Sequence, residues 1–358
     1  MNKIAVVLFN LGGPDSKQAI EPFLMNFFTD KNIIRAPYPV RWCLAKLISK
    51  KRSKQEAGES YAELGDRSPL LDNSQAQATA LEKLLSKDKD NQYKVFVCMR
   101  YWHPMADEVA GQVKEFGADK VVMLPLYPQF STTTTRSSFQ AWDKAVRKHG
   151  LTAPRNGICC YPWEAGFINA SVDKISKVYK QSLKKYEGKN PPRILFSAHG
   201  LPEKVVNAGD PYQWQCEQGA EKIVAALKAK DKLFENVDWQ ICYQSRVGPL
   251  KWIGPSTEEA LKKAVEDEVP VVIYPHAFTQ EHVETLVEID IEYRELAEEW
   301  GIVGMDKVDT VGIHKAFIEG LGTLVQQSLK QEGVLPDGGV RLCPKNWSDC
   351  CQNIEGAK

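Results

Sequence analysis

Short runs of apolar, often β-branched residues recur along the chain, each followed by a turn and then by a stretch with helical periodicity. Because the runs are apolar throughout, they predict strands buried on both faces, as in parallel sheets covered by helices. Four lie in the first half: IAVVLFNLGGP, KVFVCMRYWHP, KVVMLPLYPQFS and LTAPRNGICCYP. Four lie in the second half: RILFSAHGLP, VDWQICYQSRVGP, VPVVIYPHAF and GIVGMDKVDTVG.

This alternation of strands and helices predicts an α/β, doubly wound fold with two similar halves, each a four-stranded parallel sheet flanked by helices. A chain of 358 residues is long enough for two domains. The polar linker SLKKYEGKNPP separates the halves, so we expect domains at 1–181 and 182–330. A tail at 331–358 shows no periodicity. Ligands of such sheets bind beyond the carboxyl ends of the strands, and we expect a cleft between the halves.

Composition narrows the function classes. The chain has 46 basic and 46 acidic residues, so no net charge indicates a nucleic-acid partner. No apolar run approaches the length of a membrane span, and the first run is too short for a signal-peptide core. We therefore expect a bacterial-type cytoplasmic protein. Nine cysteines in such a chain are expected to be free thiols or metal ligands rather than disulfides.

Two polar turns have competing interpretations. NLGGP, residues 10–14, lacks both glycine-rich nucleotide fingerprints, so it predicts a tight turn and no nucleotide cofactor. FSTTTTRSS, residues 130–138, fits either simple capping of a helix or a hydroxyl-lined wall that binds carboxylates.

A histidine and a row of acids are the strongest candidates for chemistry. His199 ends an apolar run, and Glu281, Glu284, Glu288 and Glu292 recur every three to four residues, which predicts one face of one helix. That face could be an ordinary solvated surface. Alternatively, Glu284 and His282 opposite His199 form a site for a divalent metal and for proton transfer, and the acidic row forms a path for cations or protons.

Six motifs together resemble the ferrochelatase family over residues 4–329: NLGGP, RYWHP, LYPQFSTTTT, SAHGLP, YQSRVGPLKWIGP and HVETLVEIDIEY. The resemblance implies two Rossmann-like, chelatase-type domains with a porphyrin cleft between them and no nucleotide. It also implies a lyase that inserts Fe2+, as substrate, into protoporphyrin IX to make protohaem (haem b), the last step of haem biosynthesis.

The resemblance assigns roles to particular residues. His199 matches the catalytic histidine, and Glu284 matches the glutamate across the cleft; both would meet the incoming Fe2+. Residues that would support them are His282, Glu281, Glu288 and Glu292. Residues that would contact the macrocycle are Leu11, Tyr61, Ser68, Arg100, Tyr101 and Trp252.

The sequence leaves several alternatives open. The substrate could be coproporphyrin III, the enzyme could insert cobalt or nickel into another tetrapyrrole, or the protein could carry haem or porphyrin without catalysis. Residues 21–54, with their apolar side chains and closing basic cluster, read either as a core-facing helix pair or as a lip over the cleft that touches the inner membrane. The oligomeric state is not predicted.

Five cysteines form two tight groups. They are Cys159, Cys160, Cys343, Cys350 and Cys351. Because many ferrochelatases bind a [2Fe–2S] cluster through three tail cysteines and one mid-chain cysteine, the resemblance implies such a cluster here, with one of Cys159 and Cys160 as the mid-chain ligand. The other interpretation is that all five are reduced, partly buried thiols.

Overall fold

The computed structural model describes residues 1–246, 248 and 250–353, and it contains two parallel sheets flanked by helices, as predicted. The strands are β1 Asn2–Asn10, β2 Asn91–Met99, β3 Lys120–Pro125, β4 Arg155–Ile158, β5 Arg193–His199, β6 Trp239–Gln244, β7 Val271–Pro275, β8 Met305–Lys307 and β9 Val334–Leu335. The α-helices are α1 Ile20–Thr29, α2 Tyr38–Arg52, α3 Glu56–Ala62, α4 Leu70–Leu85, α5 Ala106–Phe116, α6 Thr135–His149, α7 Ala165–Lys185, α8 Glu203–Asn207, α9 Tyr212–Lys230, α10 Thr257–Glu266, α11 Val283–Leu286, α12 Tyr293–Glu299 and α13 Lys315–Leu329.

The first sheet has the strand order β2-β1-β3-β4-β9. Val7 and Phe9 of β1 belong to an apolar cluster with residues of α5 and α6. Val6 and Leu8 point to the opposite face and are also fully buried. Burial on both faces is the physical reason for the uninterrupted apolar run.

This sheet has five strands, so the prediction of four was wrong. The additional strand, β9, pairs in parallel with β4 through Gly157 with Val334 and Ile158 with Leu335. A two-residue strand is too short to leave a periodic pattern in the sequence, which is why the tail appeared irregular.

The second sheet repeats the order of the first four strands, as β6-β5-β7-β8. Ile194 and Phe196 of β5 pack with α7 and α9. Leu195, on the opposite face, packs with α10 and α12. The two halves are therefore built alike, as the paired sets of apolar runs predict.

The chain forms two compact units whose bounds differ from the predicted 1–181 and 182–330. The first unit comprises 1–160, 321–342 and the described residues from Cys351, and the second comprises 161–320 and 343–350. The predicted boundary at 181 lies inside α7. This helix belongs to the second unit because Ile168 and Ile175 pack into the same cluster as Ile194.

Residues 343–350 of the tail are attached to the second unit. The backbone N–H of Asp349 donates to the carbonyl of Gly209 at 3.0 Å. Gly209 has φ +106°, and a Cβ atom there would lie 2.1 Å from Oγ of Ser348, so glycine is required on both counts. Trp347 packs against the apolar cluster that contains Leu201. The predicted separate tail is thus divided between the two units.

Candidate active site

His199 is the last residue of β5, and the turn after it explains the adjacent glycine. The N–H of Gly200 donates to the carbonyl of Gln244 at 2.8 Å. A Cβ atom on Gly200 would lie 2.9 Å from that oxygen and 3.2 Å from Cε3 of Trp252. Glycine therefore lets the turn fit between the end of β6 and the indole, which holds His199 at the carboxyl end of the sheet.

The imidazole of His199 faces the carboxylate of Glu284, with Nε2 3.5 Å from Oε1. Nδ1 of His199 lies 2.6 Å from the carbonyl oxygen of Gly200. Because a carbonyl oxygen only accepts, Nδ1 carries the hydrogen in the neutral ring and Nε2 presents a lone pair to Glu284. A lone pair opposite a carboxylate favours a proton or a cation between the two atoms.

One divalent ion could contact both groups. Imidazole nitrogen and carboxylate oxygen bind first-row divalent ions at about 2.0–2.2 Å, so donor atoms 3.5 Å apart are within reach of a single ion. In the described part of the chain, no group of three His, Cys, Asp or Glu side chains could hold a metal ion.

The four glutamates do not lie on one helix, so that prediction was wrong. Glu281 precedes the short α11, a π-helical turn spans Glu288–Glu292, and α12 follows. The N–H of Glu292 donates to the carbonyl five residues earlier, that of Val287. A π turn is wider than an α turn, so residues after it leave the line that a period of 3.6 predicts. Glu292 is exposed.

His282 caps α11 and orients Glu284. The N–H of Glu284 donates to Nδ1 of His282 at 3.1 Å, so the hydrogen of the neutral ring is on Nε2. Burial lowers the pKa of His282, although Glu284 and Glu281 oppose that shift. A neutral His282 that accepts this bond positions the backbone on which the carboxylate of Glu284 depends.

Glu288 is fixed by four hydrogen bonds to its carboxylate. The donors are Gln244 Nε2 at 2.9 Å, Ser245 N at 2.6 Å, Ser245 Oγ at 2.5 Å and Tyr293 Oη at 2.8 Å. Burial raises the pKa of Glu288, and the charge of Glu284 adds to the increase while Ser245 opposes it. A carboxylate held in this way anchors the π turn to the end of β6.

Sequence reasoning gave no role to Gln244, Ser245, Tyr293 or Lys307. Gln244 and Lys307 end their strands, so the rule that strand ends carry function could have identified both. Ser245 directly follows β6 and has φ +59°, a conformation that is uncommon for serine and that sequence does not reveal. Val247 and Pro249 of the same motif lie outside the described residues.

Three predicted macrocycle contacts meet at the ends of β1 and β2 in the first unit. The N–H of Tyr101 donates to the carbonyl of Leu11 at 2.9 Å. Ser68 lies against the turn after β1, where a Cβ atom on Gly13 would be 2.5 Å from its side chain. Tyr61 is buried within α3. Trp252, in the second unit, lies against Gly200 next to His199.

Arg100 and Tyr101 are engaged by a buried acid, Asp30. Oδ2 of Asp30 accepts from Arg100 Nη2 at 2.9 Å, from Tyr101 Oη at 2.8 Å and from Ser137 Oγ. Burial alone would raise the pKa of Asp30, but Arg100 and the hydrogen bonds outweigh it and lower the pKa. Tyr101 is fully buried, and its hydroxyl stabilises the carboxylate of Asp30.

Two other histidines that follow strands lie outside this arrangement. His103 is exposed and pairs with Glu108 at 2.7 Å. His276 is fully buried; its Nε2 donates to the carbonyl of Cys216 at 2.9 Å, and its ring packs on Phe196. Neither contacts Glu284.

The buried cysteines differ from expectation at one point, because Cys159 and Cys351 form a disulfide with Cα atoms 6.5 Å apart. β9 brings the tail beside the end of β4, and the N–H of Asp337 donates to the carbonyl of Cys160, so the tail cysteine arrives next to Cys159. Sγ of Cys160 lies 4.0 Å from Sγ of Cys159. In the second unit, Gln215 Nε2 donates to Sγ of Cys343 at 3.1 Å.

Helix α2 presents its apolar side chains outward. The exposed residues are Tyr38, Val40, Trp42, Leu44 and Leu47, and Leu47 is 69% exposed. Its last turn carries Lys50, Lys51 and Arg52, while its buried residues are only Ala45 and Ser49. Among the described helices, none combines the length and apolar content needed to cross a membrane.

Comparison with solved structures identifies the class of fold. The sirohydrochlorin chelatase SirB from Bacillus subtilis subspecies spizizenii, solved in complex with cobalt, superposes with a TM-score of 0.51 at 10% identity, covering 92% of this chain and 96% of that chain. At this identity the likeness establishes a chelatase-type fold and nothing further.

Comparison of sequences identifies the family. The family model described as Ferrochelatase matches residues 3–329. The ferrochelatase of Hyphomonas neptunium is 47% identical over 356 residues, 98% of this chain and 95% of its own length. That of Caulobacter vibrioides is 47% identical over 350 residues, 97% of each. The chain belongs to the ferrochelatase family.

Proposed function

We propose that this protein inserts Fe2+ into protoporphyrin IX and thereby forms protohaem. The observation that carries the proposal is the pair formed by Nε2 of His199 and the carboxylate of Glu284, 3.5 Å apart at the carboxyl end of β5. Insertion replaces two pyrrole N–H protons with one Fe2+ ion, so the site must accept protons and release a metal. A neutral imidazole beside a carboxylate can do both.

The residues around the pair determine its chemistry. The hydrogen bond from Nδ1 of His199 to Gly200 leaves Nε2 as the base that accepts a pyrrole proton or contacts the metal. Glu284 supplies a negative charge that stabilises either species. With two protein ligands, the Fe2+ ion keeps positions for the incoming pyrrole nitrogens, so it can be handed over to the macrocycle.

For the macrocycle, we propose contacts with Leu11, Ser68 and Tyr61 in the first unit and with Trp252 beside His199 in the second. The indole suits the π face of a porphyrin. Arg100 and Tyr101, which bind Asp30, would hold in place the residues of the first unit that contact the macrocycle.

Zinc insertion, followed by fluorescence, tests the proposal and separates it from porphyrin carriage. We expect the purified protein to form zinc protoporphyrin catalytically and faster than zinc coproporphyrin. Stoichiometric porphyrin binding without insertion would indicate a carrier and contradict the proposal. A preference for coproporphyrin III would change the substrate assigned to the protein but not the reaction.

Two further parts of the proposal concern partners and cofactors. We propose that the outward apolar side of α2, with its basic last turn, contacts the membrane surface peripherally. We also propose that, when the disulfide between Cys159 and Cys351 is reduced, the three tail cysteines and one of Cys159 and Cys160 bind a [2Fe–2S] cluster. The burial of these cysteines supports the cluster. So does the hydrogen bond from Nε2 of Gln215 to Sγ of Cys343, because hydrogen bonds of this kind accompany cluster thiolates.

A further inference from the structure

The side chain of Lys307, the last residue of β8, is only 6% exposed. Its Nζ lies 2.5 Å from Oδ2 of Asp290 and 3.2 Å from Oε2 of Glu281, and it donates to the carbonyl of Thr285 at 3.2 Å. All three partners belong to residues 281–290, the segment that carries Glu284. A lysine is rarely buried without such partners.

This segment has little intrinsic stability. Helix α11 has four residues, and a π turn follows it, so neither element is stable by itself. The carbonyl of Thr285 is in the last turn of α11, where a cation is favourable. On the β6 side, the segment is held by Gln244, whose Nε2 donates to the carbonyl of Glu284 at 2.8 Å. Lys307 is the corresponding anchor on the β8 side.

Both acids have partners besides Lys307. Asp290 also pairs with Arg294 at 3.2 Å. Glu281 accepts hydrogen bonds from the N–H of Thr310 at 2.6 Å and from the hydroxyl of Thr285 at 2.5 Å, and its carboxylate lies 3.2 Å from Nζ of Lys307. Removing Lys307 would take a cation from both acids and would therefore disturb the segment on both sides of Glu284.

We infer that Lys307 is a positioning residue, which holds residues 281–290 so that the carboxylate of Glu284 faces His199. This inference rests on the proposed metal insertion. It predicts that loss of the ammonium group weakens use of the metal more than use of the porphyrin, because the metal contacts Glu284 directly.

The test compares Lys307→Met, Lys307→Arg and a matched control, Lys185→Met. Lys185 pairs at 2.7 Å with Asp306, the neighbour of Lys307 on β8, but is half exposed. Initial rates of zinc insertion are measured as functions of the zinc concentration and of the porphyrin concentration. The Zn2+ affinity of the porphyrin-free protein is measured by calorimetry. For Lys307→Met we expect a loss of tenfold or more in kcat/KM for zinc and in Zn2+ affinity, with porphyrin KM within twofold. Lys307→Arg should recover most of the loss, and Lys185→Met should match the parent.

A folded Lys307→Met protein with kcat/KM for zinc and Zn2+ affinity within twofold of the parent would overturn the inference. If Lys307→Met does not fold, Lys307→Gln, which keeps N–H groups but carries no charge, is measured in its place, and values within twofold of the parent would also overturn the inference. If the parent inserts no metal, the proposed function fails, while the Zn2+ affinities still decide the role of Lys307.

Discussion

His276 is a buried, titratable residue that the proposed chemistry does not use. Its ring lies against Gly219, where a Cβ atom would be 3.1 Å from Nε2. Burial lowers its pKa to about 4. The folded protein therefore keeps this ring neutral at pH values where the unfolded chain binds a proton.

This difference predicts acid sensitivity. Between the ordinary value of 6.5 and about 4, the unfolded state takes up a proton that the folded state does not, so the free energy of unfolding decreases as pH falls through this window. His276→Gln keeps an N–H for the carbonyl of Cys216 but does not titrate. We expect the parent to lose about 2 kcal/mol more than this variant between pH 7 and pH 5, measured by denaturant unfolding. Equal losses would show that His276 titrates normally.

At the residue scale, sequence could indicate which histidines follow strands but not how they differ. His199 and His276 each lie at the end of a buried strand with a turn behind it. Their exposure differs because α9 brings Gly219 onto His276, whereas His199 is 36% exposed opposite Glu284. Contacts between distant elements, which a single sequence does not reveal, decide which one can act.

At the element scale, the outward side of α2 makes a separate prediction. Replacing Trp42 and Leu47 by glutamate puts charge on the exposed apolar surface without altering the buried Ala45 and Ser49. We expect the parent to float with anionic liposomes and the Trp42→Glu, Leu47→Glu variant to lose most of that binding, because apolar insertion and basic attraction act together.

The control for this experiment is Leu233→Glu with Ile313→Glu, which alters two exposed apolar residues outside α2. It should float like the parent. Flotation of the α2 variant at the level of the parent would eliminate this membrane surface.

The acidic segment shows the limit of pattern reasoning at the same scale. A spacing of three to four residues between glutamates predicts one α-helix, and a period-based reading cannot anticipate the π turn at Glu288–Glu292. The turn is fixed by tertiary bonds, chiefly those from Ser245 and Tyr293 to Glu288. The long apolar runs, by contrast, determine their strands locally, and all eight strands predicted from them are present.

For the molecule as a whole, the grouped cysteines separate two outcomes, a bound [2Fe–2S] cluster or a disulfide. We expect anaerobically purified protein to be brown, with charge-transfer absorption and about two irons per chain. The Cys343→Ser, Cys350→Ser variant should lose both, while Cys43→Ser, which changes an exposed cysteine outside the two groups, should keep both. Colourless, iron-free protein with a Cys159–Cys351 disulfide mapped by mass spectrometry would contradict the cluster.

The architecture of two similar halves could be predicted from sequence because the central strands, such as β1 and β5, are apolar on both faces. The bounds of the two compact units were harder to predict from sequence. The tail contributes β9 to the first sheet and residues 343–350 to the second unit, and these placements depend on contacts such as that between Asp349 and Gly209. Such contacts connect short irregular stretches to distant parts of the chain and leave no periodic signal.

The most direct test of the proposed reaction is the rate of metal insertion by the His199→Ala and Glu284→Gln proteins, with porphyrin binding measured in the same samples. We expect each change to lower the rate a hundredfold or more while porphyrin affinity and folding stay near those of the parent, because the pair acts on protons and metal rather than on the macrocycle. Glu295→Gln, an exposed change on α12, should have no effect. Parent-like insertion by a folded His199→Ala protein would contradict the proposal that this histidine and Glu284 carry out the reaction.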